Sequence, residues 1–322
     1  MTILEGIKSK FGKAATVNYA RGYVPTRAER GQVPIEPKLD SALLNEALAK
    51  VRSSDITVLC IGSNREYETE ATDRKDLQLP YAQQALVDAV TAVNPNTIIL
   101  MVAASPYDLN AIQKVNRTVL WSWFNGSEGG TAVADVLSGK VNPSGKMPFT
   151  FPKRLEDSPA HALNAYPGDA NVEYKEGILV GYRWFDTKKI DPLYCFGHGL
   201  SYTNFNYAPI KTNKKVYNKG EKITATLTIK NAGKYAGKET VQFYVSDLSS
   251  KVMKAEKQLK AFKKVLIAPG KETSVSVSID VNDLAYFDEA THKWVVEPGN
   301  YKLIAASSSK DLRQSAVFRV NK

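Results

Sequence analysis

Glu66, Glu68 and Glu70 occupy every second position of Glu66-Tyr67-Glu68-Thr69-Glu70-Ala71-Thr72-Asp73-Arg74. In an extended loop that spacing points three carboxylates the same way. Crowded like charges raise the pKa of one member, and a carboxyl that keeps its proton near neutral pH can act as a general acid. Arg74 has the opposite effect on any carboxylate it pairs with, and Asp73 is its nearest candidate. The segment follows Ile56-Thr57-Val58-Leu59-Cys60-Ile61-Gly62, an apolar run that reads as a buried strand. The carboxylates therefore leave the C-terminal end of a strand, the edge where open α/β sheets bind ligands. An exposed acidic loop without a chemical role fits the same residue types, because perturbed carboxylates are also structural.

A second group of residues lies in Trp121-Ser122-Trp123-Phe124-Asn125-Gly126-Ser127-Glu128-Gly129-Gly130. Gly126, Gly129 and Gly130 allow a sharp turn from strand into helix. Glu128 suits catalysis, but it suits the first turn of a helix better, where the macrodipole favours an anion. Trp121 and Trp123 offer stacking faces for a sugar ring, although within a strand one of them is expected to face the core. His198 sits between glycines and reads as structural. The chain contains no nucleotide-binding glycine loop and no G-x-S-x-G elbow. Three histidines and two cysteines give no metal-ligand spacing, so neither a metal nor a cofactor is expected. Cys60 and Cys195 lie in apolar settings and read as small buried hydrophobes rather than a disulfide.

The elements that must hold these residues follow from periodicity. Asp40 caps a helix running through Leu43, Leu44, Ala47, Leu48 and Val51, which repeat at helical spacing. A strand over 56–61 precedes the acidic loop. A helix over 83–93 carries Leu86, Val90 and Val93 on one face and stops at Asn94-Pro95. The continuous apolar run 97–103 fits a parallel strand covered on both faces. A short helix over 111–116, a strand over 118–124 and a helix over 131–137, ended by Gly139, complete the alternation. Upstream, 2–8 has the spacing of a helix end and 17–20 alternates like a strand. Pro25, Pro34 and Pro37 mark an irregular loop. Alternating strands and helices with short links define a doubly wound α/β layer.

The pattern changes near residue 210. Alternating runs at 223–230, 240–246, 272–281, 294–296, 301–306 and 316–320 are separated by turn residues such as Asn218-Lys219-Gly220 and Pro298-Gly299. Short strands at this spacing indicate an antiparallel β-sandwich. The organisation read from sequence is a linker and lead-in segment over 1–38, an α/β sandwich domain over 39–208 and a β-sandwich over 209–322. The net charge is +10, but the lysines are spread out without interleaved aromatics. A solvated basic surface is preferred over a nucleic-acid or membrane partner.

Taken together, these motifs resemble the C-terminal half of glycoside hydrolase family 3. The matching pieces begin with Glu68-Thr69-Glu70-x-x-Asp73-Arg74, Leu77-x-Leu79-Pro80 and Gly126-x-Glu128-x-Gly130. Ala134-Asp135-Val136-Leu137-x-Gly139, Asn142-Pro143-Ser144-Gly145-Lys146 and Glu176-Gly177-Ile178-x-Val180-Gly181-Tyr182-Arg183 follow, then Phe196-Gly197-x-Gly199-Leu200-Ser201-Tyr202-Thr203. The last domain, with Val241-Gln242-x-Tyr244, Leu259-Lys260-x-Phe262 and Trp294-Val295-Val296-Glu297-Pro298-Gly299-x-Tyr301, looks like the family's fibronectin-III-like domain.

The resemblance implies a retaining, exo-acting β-glycosidase, most often a β-glucosidase. In such enzymes an N-terminal (β/α)8 barrel supplies an aspartate nucleophile, and the α/β sandwich supplies the glutamate acid/base. By position before x-x-Asp-Arg that glutamate corresponds to Glu70, with Glu68 the second choice and Asp73 and Arg74 supporting the loop. Ala71 and Thr72 stand where the family usually has a glycine and an aromatic residue. No segment here matches the barrel or its nucleophile. The expectation is a chain inactive alone, whether fragment, cleavage product or subunit, completed by a barrel-bearing polypeptide acting on a β-glucoside or oligosaccharide. A non-catalytic carbohydrate-binding module is the alternative reading. No apolar leader is visible over 1–11, and Asn116-Arg117-Thr118 and Asn125-Gly126-Ser127 are glycosylation triplets of a kind that arises by chance. The compartment stays open, with a periplasmic or secreted location preferred to a cytoplasmic one.

Overall fold

Thr2 opens the first helix, α1 (Ile3–Phe11), with a reciprocal capping box. Its Oγ1 accepts the Glu5 N–H at 3.2 Å, and Glu5 Oε2 accepts the Thr2 N–H at 2.7 Å. The computed structural model describes residues 1–25, 38–65, 67–70, 73–115, 118–168 and 170–322. Pro34, Pro37 and the first two residues of the Asn116 glycosylation triplet lie outside them. Asp40 starts α2 (Ser41–Arg52), its Oδ1 accepting the N–H groups of Ala42 and Leu43.

β1 (Thr57–Gly62), α3 (Gln83–Val93), β2 (Thr97–Val102), α4 (Asn110–Val115), β3 (Val119–Trp121) and α5 (Gly129–Leu137) follow in order. β1, β2 and β3 pair in parallel in that order, with Leu59 opposite Ile99 and Leu100 opposite Leu120. β2 is central, and Ile99, Leu100 and Met101 are fully buried. Leu86 and Val90 of α3 pack with Val51 of α2 and Leu59 of β1 in one cluster.

One sequence expectation fails in this unit: residues 17–20 carry no regular secondary structure and join none of the described sheets. Cys60 keeps accessible surface on β1, an edge strand among the described residues, yet burial of its thiol pushes the pKa up to about 11; Cys195 is half-buried, its Sγ 3.3 Å from Ser308 Oγ, and both thiols are free. Gly130, read from sequence as a turn residue, is instead a packing residue. A Cβ there would lie 2.0 Å from Thr2 O, and one on Gly6 would lie 2.1 Å from Gly130 O, so α1 and α5 meet backbone to backbone.

After two short helices, α6 (Pro159–Ala162) and α7 (Tyr182–Thr187), the chain becomes a β-sandwich. Its strands are β4 (Phe205–Tyr207), β5 (Lys211–Thr212), β6 (Val216–Tyr217), β7 (Lys222–Asn231), β8 (Gly237–Asp247), β9 (Gln258–Ile267), β10 (Glu272–Asp280), β11 (Tyr286–Asp288), β12 (Lys293–Val295), β13 (Gly299–Ala306) and β14 (Leu312–Val320). One sheet runs β10-β7-β4 with β5 on β7; the other runs β6-β14-β13-β8-β9. Ile223, Ala225, Leu227 and Ile229 alternate inward from β7 to meet Val241, Phe243 and Val245 of β8. Each fully buried Leu, Ile or Phe of this kind contributes about 1.5–3 kcal/mol of transfer free energy.

Packing divides the chain into two compact units: Met1–Val141 with Lys153–Leu155, and Asn142–Pro152 with Glu156–Lys322. The glycine-rich and aromatic motifs of 142–203 are seams within the second unit. Asn142 Oδ1 accepts from Ser201 Oγ and Tyr202 N–H, and its amide donates to Ala236 O at 2.9 Å. Tyr182 stacks on Phe196 at 4.8 Å, and its hydroxyl accepts the Leu259 N–H at 2.8 Å. His198 stacks on Tyr194 at 5.2 Å, and burial together with Lys146 lowers its pKa, which fits a neutral structural ring.

The same unit buries an ion pair. Asp186 Oδ2 lies 2.7 Å from Lys257 Nζ, with side-chain exposures of 2% and 3%. Lys310 Nζ approaches Asp186 Oδ1 at 3.2 Å. Asp186→Asn is expected to leave Lys257 buried against a neutral partner and to cost about 3–5 kcal/mol. Urea denaturation measures this, and a loss below about 1 kcal/mol, the scale of an exposed pair, would show that the pair is not effectively buried.

Candidate active-site edge

The C-terminal ends of the three parallel strands converge on one edge of the sheet, and each delivers candidate residues there. β1 ends at Gly62, whose φ is +136° and whose added Cβ would strike Val102 O at 2.1 Å. Only glycine fits this exit from the sheet. Beyond it the chain turns on Asn64, whose carbonyl accepts the N–H groups of Tyr67 and Glu68 at 3.1 and 2.9 Å. The far end of the loop is anchored by buried Leu77, Leu79 and Tyr81, and Asp108 N–H donates to Leu77 O at 2.6 Å.

Glu68 and Glu70 have different environments. Glu68 Oε2 accepts the Ala104 N–H at 2.8 Å, while Oε1 accepts from Ser105 Oγ and Tyr107 OH, both at 2.7 Å. Partial burial pushes this carboxyl up, but the hydrogen bonds from Tyr107, Ser105 and Ala104 outweigh it and hold its pKa below the ordinary glutamate value. Tyr107 is fully buried, and that burial raises its phenol, so it stays a donor. Glu70 is exposed and has no partner among the described residues. Glu66, Ala71 and Thr72 lie outside the described residues, so the three-carboxylate cluster is seen only through Glu68 and Glu70.

Arg74 does not pair with Asp73. Its guanidinium lies over the Tyr107 ring at 4.4 Å and donates to Pro106 O at 2.8 Å, while Asp73 is exposed. Arg74 therefore grips the β2 exit loop, as Glu68 does, the one over the Tyr107 ring and the other at its hydroxyl. Sequence reasoning missed Ala104, Ser105 and Tyr107. The rule that singled out the β1 exit, a loop leaving the C-terminal end of a parallel strand, applies equally to Ala103-Ala104-Ser105-Pro106-Tyr107 after β2.

The β3 exit supplies Trp121 and Trp123, half-buried and tilted at 59° with centroids 5.9 Å apart. Trp121 Nε1 donates to Ala103 O at 3.0 Å, so this ring braces the β2 exit. Glu128 occupies the N-cap position of α5 but makes no side-chain bond to the helix backbone; its Oε2 accepts from Thr131 Oγ1 at 2.7 Å.

The acidic loop lies on the rim of a parallel α/β layer, and a β-sandwich follows it in the chain. Residues 1–202 match the glycosyl hydrolase family 3 C-terminal domain, and residues 239–309 match the fibronectin type III-like domain. The chain belongs to glycosyl hydrolase family 3 and corresponds to its C-terminal portion. It is 41% identical over 321 residues to beta-glucosidase BoGH3A of Bacteroides ovatus, covering 98% of this chain and 43% of that protein. It is 42% identical over 320 residues to thermostable beta-glucosidase B of Acetivibrio thermocellus, covering 99% and 41%. Among solved structures, the beta-glucosidase of Kluyveromyces marxianus in complex with glucose superposes with a TM-score of 0.83 at 36% identity, over 89% of this chain and 34% of that one. The Bifidobacterium adolescentis GH3 beta-glucosidase gives 0.84 at 32% identity, over 88% and 42%. The chain thus spans less than half the length of the curated relatives it matches.

Proposed function

We propose that this chain is the acid/base-bearing half of a retaining, exo-acting β-glycosidase that removes terminal β-D-glucosyl residues, completed by a (β/α)8 barrel polypeptide bearing an aspartate nucleophile. The observation that carries the assignment is the contrast within one loop. Glu68 is tied down by three donors, whereas Glu70, two residues on, is exposed and unpartnered among the described residues. A retaining glycosidase needs two carboxyl groups about 5–5.5 Å apart, one attacking the anomeric carbon and one protonating the leaving oxygen. Glu70 serves as the second. It gives its proton to the departing oxygen, then takes one from the water that releases the sugar.

The experiment is hydrolysis of an aryl β-glucoside by the purified chain, alone and with a barrel-bearing polypeptide. No turnover alone and turnover on mixing is the expected result. Hydrolysis by the unaccompanied chain, abolished by Glu70→Ala, would overturn the division of labour. Tight calorimetric binding of cellobiose by the chain alone, without hydrolysis in either preparation, would favour a carbohydrate-binding module instead.

A further inference from the structure

The net charge of +10 belongs to one part of the chain. Residues 1–208 carry 22 basic and 22 acidic side chains, whereas 209–322 carry 21 and 11. The α/β portion is therefore neutral, and the whole excess rests on the β-sandwich. Several of its carboxylates are already occupied. Glu239 is buried, Asp247 and Glu297 share Lys254 at 2.7 Å each, and Asp311 pairs with Arg313 at 2.6 Å. An excess of one sign concentrates and steers ligands of the other.

The excess is densest over residues 211–222, where Lys211, Lys214, Lys215, Lys219 and Lys222 face a single acid, Glu221. This segment crosses from one sheet to the other: β5 pairs with β7, and β6 pairs in parallel with β14. Tyr217, fully buried, packs edge-on against Phe318 at 5.6 Å. Its hydroxyl accepts the Lys214 N–H at 3.0 Å and donates to Asn213 Oδ1 at 2.7 Å, an oxygen that also accepts the Thr224 N–H at 2.8 Å. The Arg319 N–H donates to Lys215 O at 2.9 Å. The lysines thus project from a pinned backbone rather than a loose tail. Lys214 is taken by Glu221 at 2.8 Å, and Lys222 stands opposite Asp280. Lys211, Lys215, Lys219 and Arg319 are exposed and have no acidic partner among the described residues. This end also lies away from the seams with 142–203. Lys222 starts β7, and Asn231, which accepts from Thr203 Oγ1 at 2.6 Å, ends it, about 30 Å further along the strand.

We propose that this cationic end of the β-sandwich, with Lys211, Lys215, Lys219 and Arg319, is a docking surface for an acidic polysaccharide, whose uronate carboxylates it holds by charge. The surface is mostly lysine, a hydrated point charge without the planar fork that reads phosphate bidentately. The one aromatic residue of 211–222, Tyr217, is buried, so a nucleic-acid base finds no stacking face there. The end is built of strands and turns and lacks the amphipathic helix of a membrane-surface anchor. The choice of a polysaccharide rests on the function proposed above, because a glycosidase held on a matrix glycan works where glycosides are concentrated.

The test measures binding of the full chain to immobilised polygalacturonate across a range of salt. Four charge contacts predict a loss of affinity on the order of 10²-fold between about 50 and 200 mM salt. Replacing Lys211, Lys215, Lys219 and Arg319 together by Gln should weaken binding at least about tenfold and flatten the salt dependence. A control replaces Lys13, Lys50, Arg52 and Lys114, all exposed in the α/β portion, by Gln. It loses the same charge and should bind as the native chain does. Equal losses in the two variants would show that net charge alone binds, and would overturn the proposal. Unchanged binding in the first variant does so as well. Equal affinity for duplex DNA or for phosphatidylglycerol vesicles at matched ionic strength also overturns it, as does displacement from polygalacturonate by a barrel-bearing polypeptide, which would make that chain the occupant. None of these readouts involves hydrolysis, so this inference can fail while the acid/base assignment stands.

Discussion

In the assembled enzyme, Glu70→Ala is expected to reduce cellobiose hydrolysis by about 10²–10⁴-fold, the range supplied by a positioned general acid. An aryl glucoside with a strongly acidic phenol should lose far less in its first step, because that leaving group departs as an anion and needs no proton. The second step should then become limiting, since water attacking the glycosyl-enzyme lacks its base. Azide is already anionic and requires no base. It should restore turnover of the activated substrate and yield the β-glucosyl azide, while doing little for cellobiose, whose first step remains unassisted. Steady-state rates on the two substrates, with and without azide, check all parts of this. Equal losses on both substrates, with no azide product, would remove Glu70 from the acid/base role.

That pattern separates a proton-transfer group from a residue that merely holds the loop, and the difference could not be read from the sequence. Glu68 and Glu70 are chemically identical, and their spacing alone puts them on one face of an extended loop, whereas the segment folds as turns and a bend about Asn64. What distinguishes them is the loop after β2, which brings Ala104, Ser105 and Tyr107 to Glu68 from a distant part of the chain. The elements were more legible. The helix over 83–93 follows from apolar periodicity, and the apolar runs 56–61 and 97–103 form strands at Thr57–Gly62 and Thr97–Val102, because their burial is set by the layer they belong to. Residues 17–20 alternate correctly and still form no strand, since a strand depends on a neighbour and not on its own pattern. β9 shows in the sequence only through the family resemblance: Lys260, Lys263 and Lys264 interrupt its alternation, and Phe262 is 67% exposed on an edge strand. The six-residue helix α7 was hidden because it starts after Gly181 at φ +59° and is too short to show a period.

Glu68→Gln is expected to act through structure rather than proton transfer. The glutamine amide keeps the shape of the carboxylate but loses the charge, and one of its ends becomes a donor facing Tyr107, Ser105 or the Ala104 N–H. Hydrogen bonds to a charged group contribute about 1.5–3 kcal/mol each, and the half-exposed setting places the net loss near the lower end of that range. The sign of the pH dependence follows from the lowered pKa. The folded carboxyl titrates below the ordinary value of 4.5, so its stabilisation is complete above that value and disappears as pH falls through the folded pKa. Urea midpoints of the native chain and Glu68→Gln should therefore differ most near neutrality and converge in acid. In the assembled enzyme the same substitution should depress cellobiose and activated aryl glucoside hydrolysis by similar factors, with no rescue by azide, because a displaced loop carries Glu70 out of reach in both steps. A constant stability gap from pH 7 into acid would show that the Glu68 contacts do not depend on its charge. Azide rescue in Glu68→Gln would exchange the roles of the two glutamates.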